Sequence, residues 1–219
     1  YLVPDPVYEI QLWQEALLAP RTPERRDYAI DNSDIPNMIN YMAFMAIIHN
    51  CEWSNGKNMI KAHDVLDTNR WKILAHDIDC TMSARAVPDR QMNPLDVTPG
   101  TFYPEDRYQF NVLYEEPDFR QAYYRRLRTL ADQFYANDSY LTMIQDLYAR
   151  IEPEVQLDVA KWHYPGANED ALEDFISQYY QTKKDLLVRF RYHNVMPAAQ
   201  SDNPVIDIDS INIDNGNHQ

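Results

Sequence analysis

From Ser33 to Asn50 the chain reads SDIPNMINYMAFMAIIHN. Either Ser33 or Asp34 can cap a helix there, and Pro36 is tolerated in its first turn. Ile35, Met38, Ile39, Met42, Met45, Ala46 and Ile48 then leave almost no polar face. A helix that is apolar nearly all round has to be covered on all sides. The spacing therefore predicts a central buried helix that stops around His49 and Asn50, with the rest of the chain packed about it.

The chain has the means to provide that cover. Its 219 residues are 45% hydrophobic and 12% aromatic, enough to build a core. The acids outnumber the bases 34 to 20, giving a formal net charge of −14. Neutralising a phosphate backbone needs clustered Lys and Arg, so nucleic acid is excluded as a partner. No apolar run approaches the roughly 20 residues of a membrane span, and no signal-like segment opens the chain. Because the first residue is Tyr and the text starts in mid-phrase, an upstream leader or domain is expected. With four glycines there is neither a GxGxxG nor a GxxxxGKS loop, so any nucleotide must be held by other groups. Cys51 and Cys80 are too few for a cysteine scaffold or a four-cysteine zinc site. Two buried thiols are the simplest reading, with one disulfide as the alternative in an oxidising compartment.

Residues 1–30 are punctuated by Pro and Arg and hold one short helical phrase, VYEIQLWQEAL, which reads as a connecting segment. After the buried helix, NMIKAHD and RWKILAHDID flank VLDTN, whose Asp67 and Asn69 suit a turn, so a β-hairpin is predicted. From about Ala86 to Tyr108 the Pro, Asp and Asn content signals a long loop of the kind that often carries function. Phe119, Ala122, Tyr123, Leu127, Leu130 and Phe134 follow Asp118 at helical spacing. Leu141, Ile144, Leu147, Tyr148 and Ile151 do the same after Asp138 or Ser139, as packing stripes. A separate stretch is expected from Pro153 to Trp162, and a further helix from near Asn168 with Leu172, Phe175, Ile176, Tyr179, Leu186 and Phe190 on one face. Residues 31–193 thus read as one domain, and 194–219 as a linker, an acidic tail or the start of a further β domain.

Two acids, Asp77 and Asp79, end the second hairpin segment. Strand alternation places them on one side, with Cα atoms about 6–7 Å apart. Carboxylates that close repel unless they are solvated, protonated or bridged by a cation. Mg²⁺ or Mn²⁺ shared with substrate phosphates would remove the conflict, since hard ions prefer carboxylate oxygen. The plainer reading is a strand end facing water.

Context favours the cation. Upstream, HNCEWSNGKNMIK places Glu52 at the end of the buried helix, Asn58 soon after it, and Lys57 and Lys61 nearby. An acid, a short turn, an Asn, a strand and a further acid is the layout of protein kinases: one acid orients the attacking hydroxyl while the Asn and the later Asp hold the metals. On the strand after Asn58, Lys61 and His63 share a face and are candidate phosphate contacts, weaker than the acids. His49, His63 and His76 lack the paired spacing of a zinc site. Arg125, Arg126 and Arg128 read as a surface ion-pair face. No GxSxG elbow or Cys-His pair supports covalent hydrolysis.

The run INYMAFMAIIHNCEWSNGKNMIKAHD…RWKILAHDID, followed by EEPDFRQAYYRRLRTLAD and PEVQLDVAKW, resembles the CotH kinase family, named for spore coat proteins, over roughly residues 30 to 190. The resemblance implies an α+β, mostly helical fold: a kinase-like C-terminal lobe, a β-hairpin carrying the metal-site acids, and a C-terminal helical region. It places Glu52 at the catalytic-acid position, Asn58 at the adjoining metal-side Asn and Asp77 at the metal-binding aspartate, with Asp79 in support. It implies Mg²⁺ or Mn²⁺ with ATP as cofactors, a protein hydroxyl as substrate, and a spore-coat, cell-surface or secreted setting. It also implies an upstream β-rich lobe, supplied in cis, that grips the nucleotide.

The chain departs from the family pattern at Glu52, usually Asp, at His76, usually aromatic, and at Ser83, usually Gly. Glu is one methylene longer than Asp, which shifts a base by about 1.5 Å and can cost on the order of 100-fold. Those departures keep an alternative open: a pseudokinase serving as a surface or coat interaction module. A third reading is a metal-binding structural domain without nucleotide.

Overall fold

In the computed structural model of the chain, residues 6–48, 50, 59–78, 110–162, 176, 180, 181 and 184 are described. Helix α3, Ile35–Ile48, is the hub. Asp34 begins it, its Oδ1 accepting the Asn37 N–H at 3.0 Å, and ten of its fourteen residues are buried. The helix predicted from apolar content alone is thus central, and it packs against α5 and β2.

Two helices precede it. In α1, Pro6–Leu18, Trp13 and Leu17 lie four apart and are both buried, and the Trp13 indole N–H donates to the Ser33 hydroxyl at 2.9 Å. Helix α2, Pro23–Asn32, is capped by Thr22, whose hydroxyl oxygen accepts the Arg25 N–H at 3.2 Å. Pro23 stands at its start, where a missing N–H costs nothing. Residues 6–32 therefore belong to the core through Trp13, Leu17, Ala29 and Ile30, and the expectation of a mere connecting segment over residues 1–30 is corrected for that part. The reason is Arg25, an apolar-pattern breaker that is nevertheless buried. Its guanidinium donates to Glu116 at 2.9 Å, to the Ala19 carbonyl at 3.1 Å and to Glu115. Burial opposes its charge, but the two carboxylates outweigh that and raise its pKa.

The predicted hairpin forms from β1, Met59–His63, and β2, Trp71–Ala75. The strands are antiparallel, with His63 opposite Trp71 and Met59 opposite Ala75. Trp71 and Ile73 point into the core while Ile60 and Leu74, a cross-strand pair, face outward. Asp64 organises the turn. Its carboxylate accepts the Asp67 N–H and the Thr68 hydroxyl, each at 3.3 Å, and the Lys72 ammonium at 2.7 Å. The Lys72 hydrogen bond keeps its carboxyl below the ordinary range. Asn69 closes the turn at φ 54, a conformation Asn tolerates better than most residues. The start of α3 grips β2 as a third partner: the Asp34 N–H donates to the Trp71 carbonyl at 2.9 Å, and the Asn37 side-chain oxygen accepts the Ile73 N–H at 2.7 Å.

After α4, Asn111–Glu115, comes α5, Pro117–Phe134. The predicted stripe of α5 is its packing face: Phe119, Ala122, Tyr123, Leu127 and Leu130 are buried and Phe134 half-buried against the core. Fully burying one such side chain contributes about 1.5–3 kcal/mol. The Arg cluster on α5 is half-buried rather than a plain surface face, with Arg128 3.7 Å from Asp132.

Helix α6 corrects two expectations. It runs unbroken from Ser139 to Trp162 with Pro153 inside it, rather than ending before a new helix at Pro153. Proline's fixed φ is compatible with helix, and the carbonyl it strands, that of Ala149, lies on an exposed turn where water can serve it. Nor is the stripe of α6 a core face beyond its first residue, Leu141, which packs partly buried against the core. None of its residues is buried, and Leu147 and Ile151 are 53% and 54% exposed.

Beyond α6, the Tyr180 hydroxyl donates to Asp138 at 2.8 Å and the Lys184 ammonium to the same carboxylate at 2.7 Å. Asp138 sits at φ 57 in the link between α5 and α6. The long loop expected around 86–108, the tail from 194 onward, Cys51 and Cys80 all lie outside the described residues. The fold is mostly helical with a small antiparallel sheet, as α+β predicts, and no described helix is long and apolar enough to cross a membrane.

Candidate active site

Asp77 stands two residues beyond the end of β2. The expectation that extended geometry carries through to Asp79 is corrected here: the strand stops at Ala75, and Asp77 adopts φ 51. That left-handed conformation costs an ordinary residue roughly 1–2 kcal/mol, less for Asp. On one side Trp71 and Ile73 pin β2 in the core, and on the other Ile78 packs against it. Between these anchors the Asp77 side chain is exposed and has no hydrogen-bond partner among the described residues. An acid on a strained backbone, held at both sides and offered to solvent, is arranged to meet something outside the core. Glu52, Asn58 and Asp79 lie outside the described residues, as do Lys57 and Ser83.

The hairpin register separates the two weaker candidates. Lys61 lies opposite Ile73, on the face that also carries His63 opposite Trp71, so the shared face predicted for them is present. His63, however, is at the turn end. About 13 Å of strand separates Trp71 from Ala75, and Asp77 lies further on. The His63 ring stacks on Trp71 with centroids 4.7 Å apart, and Trp71 stacks in turn on Trp13 at 5.2 Å. Its Nδ1 is 3.6 Å from a Glu9 carboxylate oxygen and its Nε2 3.3 Å from the Asn69 carbonyl. His63 thus joins α1 to the hairpin, and it does not share a phosphate site with Asp77. Lys61 is half-buried and nearer the open end.

The end of α3, from which Glu52 follows, is held from outside the helix. The Asn50 N–H donates to the Met45 carbonyl at 3.2 Å. The buried Tyr135, at the end of α5, donates its hydroxyl to the Ile47 carbonyl at 2.8 Å. Sequence reading passed over Tyr135, Asn37 and Arg25 alike. Each makes its decisive contact with a residue 36 or more positions away, and only the Thr-Pro helix start at Thr22 hinted at α2.

A metal would suit Asp77 as a hard oxygen donor. Among the described residues no cluster of three or more His, Cys, Asp or Glu side chains could hold an ion. Further oxygen donors would come from outside the described residues or from water.

These features define a class: a mostly helical α+β domain whose small hairpin, stitched to a buried helix, presents an acid just past a strand end. Comparison with known families narrows it. Residues 21–187 match the family described as CotH kinase protein, and with more than half of the chain matched it belongs to that family. No curated protein and no solved structure matches the chain.

Proposed function

We propose that this chain carries the metal-binding and catalytic-acid side of a CotH-type phosphotransferase, moving the γ-phosphoryl group of ATP to a protein hydroxyl. The observation that carries the reading is Asp77, an exposed acid with no hydrogen-bond partner among the described residues, on an anchored left-handed turn inside the family match. Asp77, with Asn58 and Asp79, would hold Mg²⁺ or Mn²⁺. The ion's contribution is to offset charge on the phosphates. Glu52 would orient the substrate hydroxyl and accept its proton as the oxygen attacks phosphorus. Lys61, nearer the open end of the hairpin than His63, is the weaker candidate for a phosphate contact.

Calorimetric titration of Mg²⁺ and ATP into the full-length protein tests this, with Asp77→Asn as the comparison. Asn tolerates φ 51, so the substitution removes charge without adding backbone strain, which alanine would. Metal-dependent ATP binding that disappears in the variant, together with wild-type transfer of labelled γ-phosphate to protein, is the expected result. Equal binding by both proteins would sink the assignment. The methylene added at Glu52 favours a second reading, a pseudokinase used as an interaction module, for which partner binding would survive Asp77→Asn and no transfer would occur.

A further inference from the structure

We propose that the outer face of α6 pairs with the same face of a second copy of this chain, the two helices running antiparallel. Of α6, only Tyr140 and Leu141, at its start, pack against the core. Further along, Met143, Leu147, Arg150, Glu154, Leu157 and Lys161 are all exposed and recur at alternating steps of four and three. That is the spacing of a coiled-coil seam, which keeps one side of a helix toward its partner. The half-buried Ile144, Tyr148, Val155 and Val159 occupy a different side, about 130° around the helix at about 100° per residue.

The seam is its own complement when reversed. Met143 with Lys161, Leu147 with Leu157, and Arg150 with Glu154 form three pairs, each centred on residue 152. Across a two-fold axis at that level, Leu147 of each copy stands level with Leu157 of the other, and Arg150 with Glu154. Two apolar layers thus bracket two ion pairs. Beyond them the Lys161 stem can lie along Met143, and Ile151, 54% exposed, flanks the axis where it meets Ile151 of the other copy. Parallel pairing would set Arg150 against Arg150 and Glu154 against Glu154, so the charges select the antiparallel arrangement. A polar layer inside an apolar seam also fixes register. The same patch is used by both copies, so the contact is closed and ends at the dimer. From Met143 to Lys161 the seam is about 27 Å long at the helical rise. That is small for a specific interface, and the association is correspondingly weak, in the micromolar range.

Sedimentation velocity of the full-length protein, from about 1 to about 500 µM so as to bracket that range, tests the pairing. Wild type should pass from monomer to dimer. Arg150→Glu and Glu154→Arg each place two like-charge contacts in the seam, and each should raise the dissociation constant at least about tenfold. The double variant carrying both changes has opposite charges at each level again and should dimerise as wild type does. An equimolar mixture of the two single variants should form a dimer at concentrations where neither does alone. Both residues are exposed, so circular dichroism should show the same helicity in every variant. A wild type that stays monomeric throughout overturns the proposal, leaving the face to a different protein or to a segment of this chain beyond the described residues. A dimer indifferent to both charge reversals overturns it equally, because its interface then lies elsewhere.

Discussion

Replacing Arg25 with alanine should destabilise the domain far more than loss of an ordinary ion pair. The Arg25 side chain is 3% exposed and that of its partner Glu116 is 6% exposed, whereas Glu115 at 46% can turn to water. Removing the cation leaves Glu116 buried with, among the described residues, the exposed Arg21 3.4 Å away as its remaining ion-pair partner. Breaking a buried pair from one side costs about 3–5 kcal/mol because the remaining charge is uncompensated. Against a total stability of about 5–15 kcal/mol, that is a large share. At a urea slope of about 2–3 kcal/mol per molar, the unfolding midpoint should fall by about 1–2 M. The double variant Arg25→Met with Glu116→Gln removes both charges, so most of the loss should return, with a coupling of more than about 1 kcal/mol across the cycle. Urea unfolding followed by circular dichroism on wild type, Arg25→Ala, Arg25→Met, Glu116→Gln and the double variant reads both quantities. A cost below about 1 kcal/mol for Arg25→Ala, the range of exposed pairs, or additive effects in the cycle, would refute the argument that burial makes this pair matter.

Asn37→Ala leaves the Ile73 N–H without the acceptor at 2.7 Å, which should cost about 1–3 kcal/mol. Amide exchange at Ile73 should accelerate more than at its strand neighbours. Asp77→Gly, by contrast, relieves the left-handed backbone at φ 51; thermal unfolding should show stability equal to wild type or higher, while calorimetry shows Mg-ATP binding lost. For Asp138, hydrogen bonds from Lys184 and then Tyr180 hold the folded-state pKa below the ordinary carboxylate value. A depressed acid pKa stabilises the fold above the unfolded-state pKa, and the contribution disappears as pH falls through the folded-state value. Denaturation curves measured downward from pH 5 should therefore show a loss that Asp138→Asn lacks.

Helices α3 and α5 and the hairpin were legible because their information is local: apolar residues at helical or alternating spacing, bounded by capping and turn residues. Helix α2 was not, since ERRDYAIDN carries charges where a buried face is expected, and the partners of Arg25 lie 90 and 91 residues away. The stripe on α6 was legible as a helix, but only Leu141 of that predicted packing stripe reaches the core, because periodicity reports a face and not what covers it. At the site, the sequence pointed to Asp77 for the spacing of two acids on a strand, yet the geometry that singles it out is a turn. A left-handed Asp leaves no pattern in the neighbouring residues. His63 shared the predicted face with Lys61, but the stacking that commits it to Trp71 depends on register, which alternation alone does not set.

Ile78 and Phe110 both pack into the core, and just past Phe110 the Arg25 clasp fixes Glu115 and Glu116 from the other end of the domain. The ends of the intervening span, residues 79–109, are therefore fixed by contacts that owe nothing to its own length. Closing a loop costs chain entropy that grows only logarithmically with its length, about 0.6 kcal/mol for each doubling. A change in the number of residues between these two anchors should therefore cost little stability in the scaffold that presents Asp77.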